Sequence, residues 1–360
     1  MSKIYNTIIF SIVLLVWIVV FTILYRNEPL NGDLTRIGGY REAEFGWNNP
    51  REEFEKDLFH VAQHIDEYDQ YYDVVVLGDS FTLYSEKIAW VNYFIEKTGY
   101  SVLAIHFDHT DIHTLLASPQ FTATPPRMLI YQSVERSLVE HLLREGRVAS
   151  RVVNDHDIQN PAPALSFQPI KTVKQMVNRK RTWDDIERGF SDTVSYIQRA
   201  LMKDENADMA LLLDMKDTAR GVFSSVNQHG LLITREDISR KAFSDDKITE
   251  AAVILHDIHH AVSSNGKTHF SLLVFPDKLS IYEEFLEDQS WGGLSILSKL
   301  NRHYGLLRLD RYFKEAVHIN TIDLYMPNNT HTSSIGNKIA AEKLLEFLEH
   351  NPGCQGSDSE

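Results

Sequence analysis

The sequence predicts an α/β fold: a central parallel sheet with helices on both faces, preceded by one N-terminal transmembrane helix. Three observations carry this. Apolar, β-branched runs alternate with helical patterns between residues 71 and 144. The run Tyr71 to Leu77 (YYDVVVL) ends at Gly78, as a strand buried on both faces does. The stretch from Ile4 to Tyr25 carries no charged residue.

At 1.5 Å per residue, about 20 apolar residues cross a hydrocarbon core of about 30 Å, so residues 1–26 are expected to be an uncleaved anchor. A secretory signal would have a shorter apolar region and small residues at a cleavage site. Lys3 lies on one side and Arg26, Arg36 and Arg41 on the other, so charge does not orient the helix. Residues 27–50, rich in Pro, Gly and Asn, are expected to be a linker, and residues 51–350 one large domain.

Within that domain Arg51 to Gln70 has mixed charge at helical spacing, and Tyr71 to Leu77 is the first strand. A helical pattern runs to Lys97, and a second strand covers Ser101 to Phe107. A third strand, Met128 to Gln132, leads into a helix through about Arg144. An insertion at about 147–182, with Pro161, Pro163 and Pro169 and a basic stretch Lys171 to Arg181, interrupts the rhythm. Ala207 to Met215 and His269 to Phe275 read as two further strands, with a helix from about Lys247 to Ser263 between them. A short strand near Leu306 to Leu309, a polar turn at Pro327 to Ser334 and a helix from Gly336 to His350 follow, and residues 351–360 are a disordered tail by composition.

With 36 Lys+Arg against 50 Asp+Glu the net charge is −14, which argues against a general nucleic-acid binder, since phosphate neutralisation needs a basic stripe. The one cysteine, Cys354, excludes an internal disulfide.

A buried strand ending in Gly78-Asp79-Ser80 and running into a helix places Ser80 at the carboxyl edge of the sheet, where α/β proteins bind ligands. Ser80 and Asp79 also suit a helix cap, so the tripeptide alone leaves both roles open. A serine nucleophile needs a base. His331, in a polar turn before the last helix, is the histidine whose context presents a side chain at a sheet edge.

These residues resemble the SGNH hydrolase superfamily, which implies a flavodoxin-like three-layer sandwich and a Ser-His-Asp arrangement. Three fragments resemble more closely the acetyltransferases related to alginate O-acetylation. They are Gly78 to Phe81 with Ile130 to Leu138, Phe275 to Tyr282, and Asn329 to His331 followed by Gly336 and an alanine-containing helix. In those enzymes the Asp-x-His loop precedes the Gly-Asp-Ser strand, whereas here the histidine loop follows it. Asn329 and Asn328 occupy the positions two and three before His331, where aspartate is the superfamily pattern. An asparagine can orient an imidazole but cannot stabilise imidazolium by charge, so Asp323 is a candidate orienter alongside Asn328 and Asn329. The resemblance also marks Gly78, Asp79, Gln132, Ser133, Glu135 and Arg136 as residues that shape the site, with Gln132 a candidate oxyanion donor.

The implied activity is O-acetylation of an exported bacterial polysaccharide through a Ser80 acyl-enzyme. The implied partner is a multipass membrane O-acyltransferase, and the implied location the bacterial inner membrane, with the domain facing the periplasm or cell exterior. An esterase or deacetylase would use the same acyl-enzyme, and a non-catalytic polysaccharide-binding or export scaffold would leave Ser80 and His331 far apart, or neither of them reaching a cleft. Lys171, Lys174, Arg179, Lys180 and Arg181 are the candidate substrate-binding cations. His256 and His260 share a helix face but lack a third ligand, so no metal and no cofactor is expected.

Overall fold

The structure, a computed structural model, describes residues 2–26, 32–83, 86–146, 165–178, 209–217, 221–239, 243–300 and 306–350. In chain order its strands are β1 (Arg51–Phe54), β2 (His60–Ala62), β3 (Val74–Gly78), β4 (Val102–His106), β5 (Met128–Val134), β6 (Lys174–Val177), β7 (Ala210–Asp214), β8 (Gly230–Thr234) and β9 (His269–Phe275). The helices that matter for the site are α1 (Ser2–Arg26), α2 (Asp33–Gly38), α3 (Ser80–Leu83), α4 (Trp90–Thr98), α5 (Glu135–Gly146), α6 (Asp245–Ser263), α7 (Lys278–Tyr282), α8 (Leu309–His318) and α9 (Ser334–His350).

Five parallel strands form the central sheet in the order β2-β4-β3-β5-β9. Beyond β9, Leu307 makes a parallel bridge to Leu273. With β2 taken as an added edge, the order is consistent with a flavodoxin-like doubly wound sheet. The chain steps outward from β3 to β4, then crosses back to β5 and β9. The alternation of side chains along the strands explains the layers. Val74, Val76, Val102, Ala104, Met128 and Ile130 pack on one face with Trp90 and Phe94 of α4 and Ala340 and Leu344 of α9. Val75, Leu77, Leu103, Ile105, Leu129 and Tyr131 pack on the other with Leu138 and Leu142 of α5 and Leu255 and Ile258 of α6. At about 1.5–3 kcal/mol for each fully buried large apolar side chain, both faces contribute to holding the edge at which Ser80 sits.

Several expectations are corrected. Residues 51–70 hold two short strands, β1 and β2, where a helix was expected, because their apolar residues are claimed by two separate partners. The run at 207–215 is not a strand of the central sheet: β7 pairs antiparallel with β8 in its own ribbon. Residues 32–47, expected to be linker, are part of the folded body, with Leu34, Phe45 and Trp47 all buried. Leu34 and Phe45 form a small core with Ala210 and Leu232 of the ribbon. Within the insertion, β6 pairs antiparallel with β1, while residues 147–164 and 179–182 lie outside the described residues, as do 351–360.

The expected anchor segment is one continuous helix, α1, whose apolar side chains from Ile4 to Val19 are exposed. Among the described residues no helix is long and apolar enough to cross a membrane; along α1 the side chains are described only from residue 4 to residue 19.

Candidate active site

Ser80 opens α3 directly after β3, at the point where the sheet order reverses between β3 and β5. The turn that carries it is built by Asp79 and Gln132. The Asp79 carboxylate accepts from Phe81 N–H at 2.9 Å, from Val134 N–H at 2.6 Å and from Gln132 Nε2 at 2.9 Å. Gln132 Oε1 in turn accepts from Asp79 N–H at 3.1 Å and Thr82 Oγ1 at 2.6 Å. Gly78 is required by this arrangement, since a Cβ there would stand 2.8 Å from Gln132 Oε1 and 2.9 Å from Thr82 Oγ1. Gln132 is thus engaged at both ends, with one of its two Nε2 hydrogens on Asp79, so its carboxamide is held within the Ser80 turn. Ser80 N–H, at the start of a helical turn, is the donor best placed for an oxyanion.

His331 Nε2 lies 2.9 Å from Ser80 Oγ. Its Nδ1 lies 2.7 Å from Asn329 Oδ1, and the His331 backbone N–H donates to the same oxygen at 3.0 Å. Because a backbone N–H can only donate, Asn329 presents its carbonyl oxygen to the imidazole. Nδ1 therefore carries the proton, and Nε2 is left as the acceptor for the Ser80 hydroxyl. The ring is buried against Phe81, 4.7 Å between centroids. Burial is the larger reason that its pKa falls to about 4; Asp33 and Asp79 oppose the shift and Arg136 adds to it. At neutral pH the imidazole is free to take a proton.

The hairpin that carries His331 is clamped from two sides. Buried Lys278 donates from Nζ to the carbonyls of Met326 at 2.9 Å, Pro327 at 2.8 Å and Asn329 at 3.3 Å. Burial pulls the Lys278 pKa down to about 7, against the carboxylates of Asp33, Asp237 and Asp323. Lys278 is held in turn by α5. Glu135 accepts from Asp277 N–H at 3.0 Å and Ser280 Oγ at 2.8 Å, and Arg136 donates to Asp277 at 2.9 Å and Asp237 at 3.3 Å. Asp277-Lys278, part of the Phe275 to Tyr282 fragment, is therefore the link between α5 and the histidine loop. From the other side, Asn328 donates its side-chain N–H to Glu42 and accepts from Leu34 N–H at 3.2 Å on its carbonyl. Thr330 N–H donates to Asp33 Oδ1 at 2.9 Å, and Thr330 Oγ1 to Asp33 Oδ2. Asp33 Oδ2 stands 3.7 Å from His331 Nδ1.

No protein-family model, no curated protein and no solved structure matches this chain. The reading of the site rests on its geometry.

Of the sequence candidates, Ser80, His331 and Asn329 meet. Asn328 faces Glu42 instead of the imidazole. Asp323, proposed as an orienter, is committed elsewhere: its carboxylate accepts Ser224 N–H at 2.8 Å and the Ser224 hydroxyl, in a left-handed backbone conformation with φ 55°. Ser133 Oγ sits 2.9 Å from His141 Nδ1. Of the candidate cations, Lys174 is bound to Glu96 at 3.0 Å and Glu52 at 3.3 Å, so it staples the insertion to α4 and β1 and leaves no charge for a polymer. Lys171 is exposed, and Arg179, Lys180 and Arg181 lie outside the described residues. Among the described residues no cluster of His, Cys, Asp and Glu could hold a metal ion. A cavity of about 260 Å³ adjoins the histidine hairpin at Met326, Ser333 and Ser334, but neither Ser80 nor His331 lines it.

The residue missed from sequence is Asp33. The signal that could have found it is the apolar content of the supposed linker: Leu34, Ile37, Tyr40, Phe45 and Trp47 are too many core-forming side chains for a solvated tether.

Proposed function

We propose that the protein is a membrane-anchored SGNH-type O-acetyltransferase that modifies hydroxyls of an exported bacterial polysaccharide. The observation that carries the proposal is the contact of 2.9 Å between Ser80 Oγ and a neutral His331 whose other nitrogen is already committed as a donor. This contact speaks against a scaffold in which the two groups stand apart.

In the proposed cycle Ser80 Oγ attacks the carbonyl carbon of an acetyl donor while its proton passes to His331 Nε2. The oxyanion forms beside Ser80 N–H. As the intermediate collapses, the bond to the leaving oxygen breaks and His331 returns the proton to that oxygen, leaving acetyl-Ser80. A sugar hydroxyl then gives its proton to Nε2 and attacks the acetyl carbon, and Ser80 recovers the proton as it leaves. Water in place of the sugar gives the esterase outcome.

The resemblance of the sequence fragments to polysaccharide acetyltransferases supports sugar as acceptor, a multipass acyltransferase as the source of acetyl groups, and an outward-facing body at the inner membrane. The run from Ile4 to Tyr25, free of charged residues, is the sequence feature that supports residues 1–26 as the single-pass anchor.

The test is rapid mixing of the full-length, detergent-solubilised protein with 4-nitrophenyl acetate. A burst of nitrophenolate with one acetyl group on the Ser80 peptide is expected, and none in Ser80→Ala. An undiminished burst in Ser80→Ala removes Ser80 as nucleophile. A polysaccharide fragment that gains acetyl while speeding turnover identifies transfer, whereas acetate release that no saccharide diverts identifies an esterase.

A further inference from the structure

The dyad lacks a charge where the family pattern has aspartate, and Asn329 supplies only orientation. Asp33 lies where such a charge is needed. It is part-buried, with 13% of its side chain exposed, and bonded through both oxygens to Thr330, the residue before His331. Thr330 Oγ1 is itself 3.2 Å from His331 Nδ1. Since the Thr330 hydroxyl spends its proton on Asp33, its oxygen faces the imidazole as an acceptor polarised by a carboxylate.

We infer that Asp33, carried by the segment that follows α1, is the positioning residue that stabilises the His331 imidazolium, and that Asn329 and Asp33 divide between them the two tasks usually performed by one aspartate. Asn329 fixes the tautomer, and Asp33 supplies the negative charge. The inference rests on the Ser80 acyl-enzyme reading and adds a regulatory consequence to it: the site is complete only while residues 32–47 are docked on the histidine hairpin. That docking is specified by contacts separate from the charge. Leu34 N–H binds the Asn328 carbonyl, Glu42 receives the Asn328 amide and the Thr35 hydroxyl, and a Cβ at Gly32 would clash with the Asn328 carbonyl.

The charged groups facing His331 are Asp33 and Asp79, which favour imidazolium, and Arg136, which opposes it. Asp79 is tied to the Ser80 turn and Arg136 to Asp277 and Asp237, so Asp33 is the carboxylate whose effect on the ring can be removed without dismantling that turn. A single charge at this separation in a partly buried site supports a loss of roughly 100-fold.

The experiment compares wild type, Asp33→Asn, Asn329→Asp and the double variant on 4-nitrophenyl acetate, as full chains, with kcat, KM and the acid limb of the pH profile. Asp33→Asn is expected to lower kcat by roughly 100-fold, to change KM by less than about threefold, and to move the acid limb to lower pH. The double variant, with its carboxylate placed against Nδ1, is expected to recover at least about tenfold of the loss and to return the limb upward. Folded Asp33→Asn with wild-type kcat and an unmoved limb would overturn the inference while leaving the Ser80 burst, and so the acyl-enzyme reading, intact; absence of a burst in wild type would fail that reading instead. Should Asp33→Asn not fold, Thr330→Val serves, since it cuts the hydroxyl link and spares the backbone bond to Asp33. A loss of roughly tenfold in kcat is expected there, and an unchanged kcat overturns the inference.

Discussion

Lys278 Nζ lies 2.8 Å from the Pro327 carbonyl oxygen and binds two further carbonyls of the same hairpin, so one buried ammonium fixes the loop that aims His331. Replacing it with methionine keeps the volume and removes every donor. The Pro327 and Asn329 carbonyls then lose this donor, while the Met326 carbonyl keeps the Asn329 N–H, and the loss is partly offset by no longer burying a charge. Lys278→Met is expected to cost about 2–4 kcal/mol, to lower Tm by roughly 5–10 °C, and to reduce acetyl-Ser80 formation more than ester binding. Calorimetry with burst kinetics checks this; an unchanged Tm would show that the hairpin holds without the lysine.

The nucleophile turn depends on space as well as bonds. Gly78→Ala would press a methyl group against Gln132 Oε1 and Thr82 Oγ1, both already inside a closed network. A loss of about 1–3 kcal/mol in stability is expected, with a fall in burst rate of at least tenfold as Ser80 Oγ is displaced from His331. Thermal melts and stopped-flow on the same preparation separate the two effects.

Burial of neutral His331 sets a pH dependence for both activity and stability. The imidazole titrates at about 4 in the fold against 6.5 unfolded, so kcat/KM is expected to fall as pH drops through about 4. Between those values the unfolded chain binds a proton that the folded chain does not. Stability contributed by this group is therefore undiminished above about 6.5 and is lost progressively as pH falls toward 4, by about 3 kcal/mol in total. His331→Gln should flatten that part of the stability curve in urea titrations. A curve with the same slope in both proteins would place the titration elsewhere.

Two truncations separate α1, the proposed anchor, from the segment 32–47 that docks on the histidine hairpin. A chain beginning at Gly32 keeps Asp33 and Glu42, and it is expected to leave the membrane fraction with its burst intact. A chain beginning at Trp47 loses both and with them the contacts to Thr330 and Asn328, and its burst rate is expected to drop by roughly 100-fold or more. Sedimentation of lysates and burst assays of both chains test this. Retention of the Gly32 chain with membranes would mean that α1 is not what holds the protein there.

What could be read in the sequence was what a short window contains. β3 is contiguous and β-branched, its end is marked by Gly78, and His331 stands in a polar turn before a clear helix, so the candidate nucleophile and base were legible. Pairing was not. The apolar run at β7 has strand character in either a parallel sheet or an antiparallel ribbon, and only Gly230–Thr234 decides between them. Gln132 has the chemistry of an oxyanion donor, and only the approach of Asp79 and Thr82 shows that its carboxamide also builds the Ser80 turn. Asp33 was hidden for the same reason: 297 positions separate it from Thr330, and no local periodicity encodes a contact of that span.

Arg26 ends α1 and Asp33 stands seven positions later, a stretch that reaches no more than about 25 Å when fully extended. With α1 embedded as proposed, catalysis is confined to a thin layer above the bilayer, at a height set by those few residues. A polymer would have to be brought down to that layer to be modified, and a hydroxyl farther along the emerging strand would escape it. On that proposal the spacing between α1 and residues 32–47 would act as a ruler, and lengthening it tests which reaches of a polymer are modified.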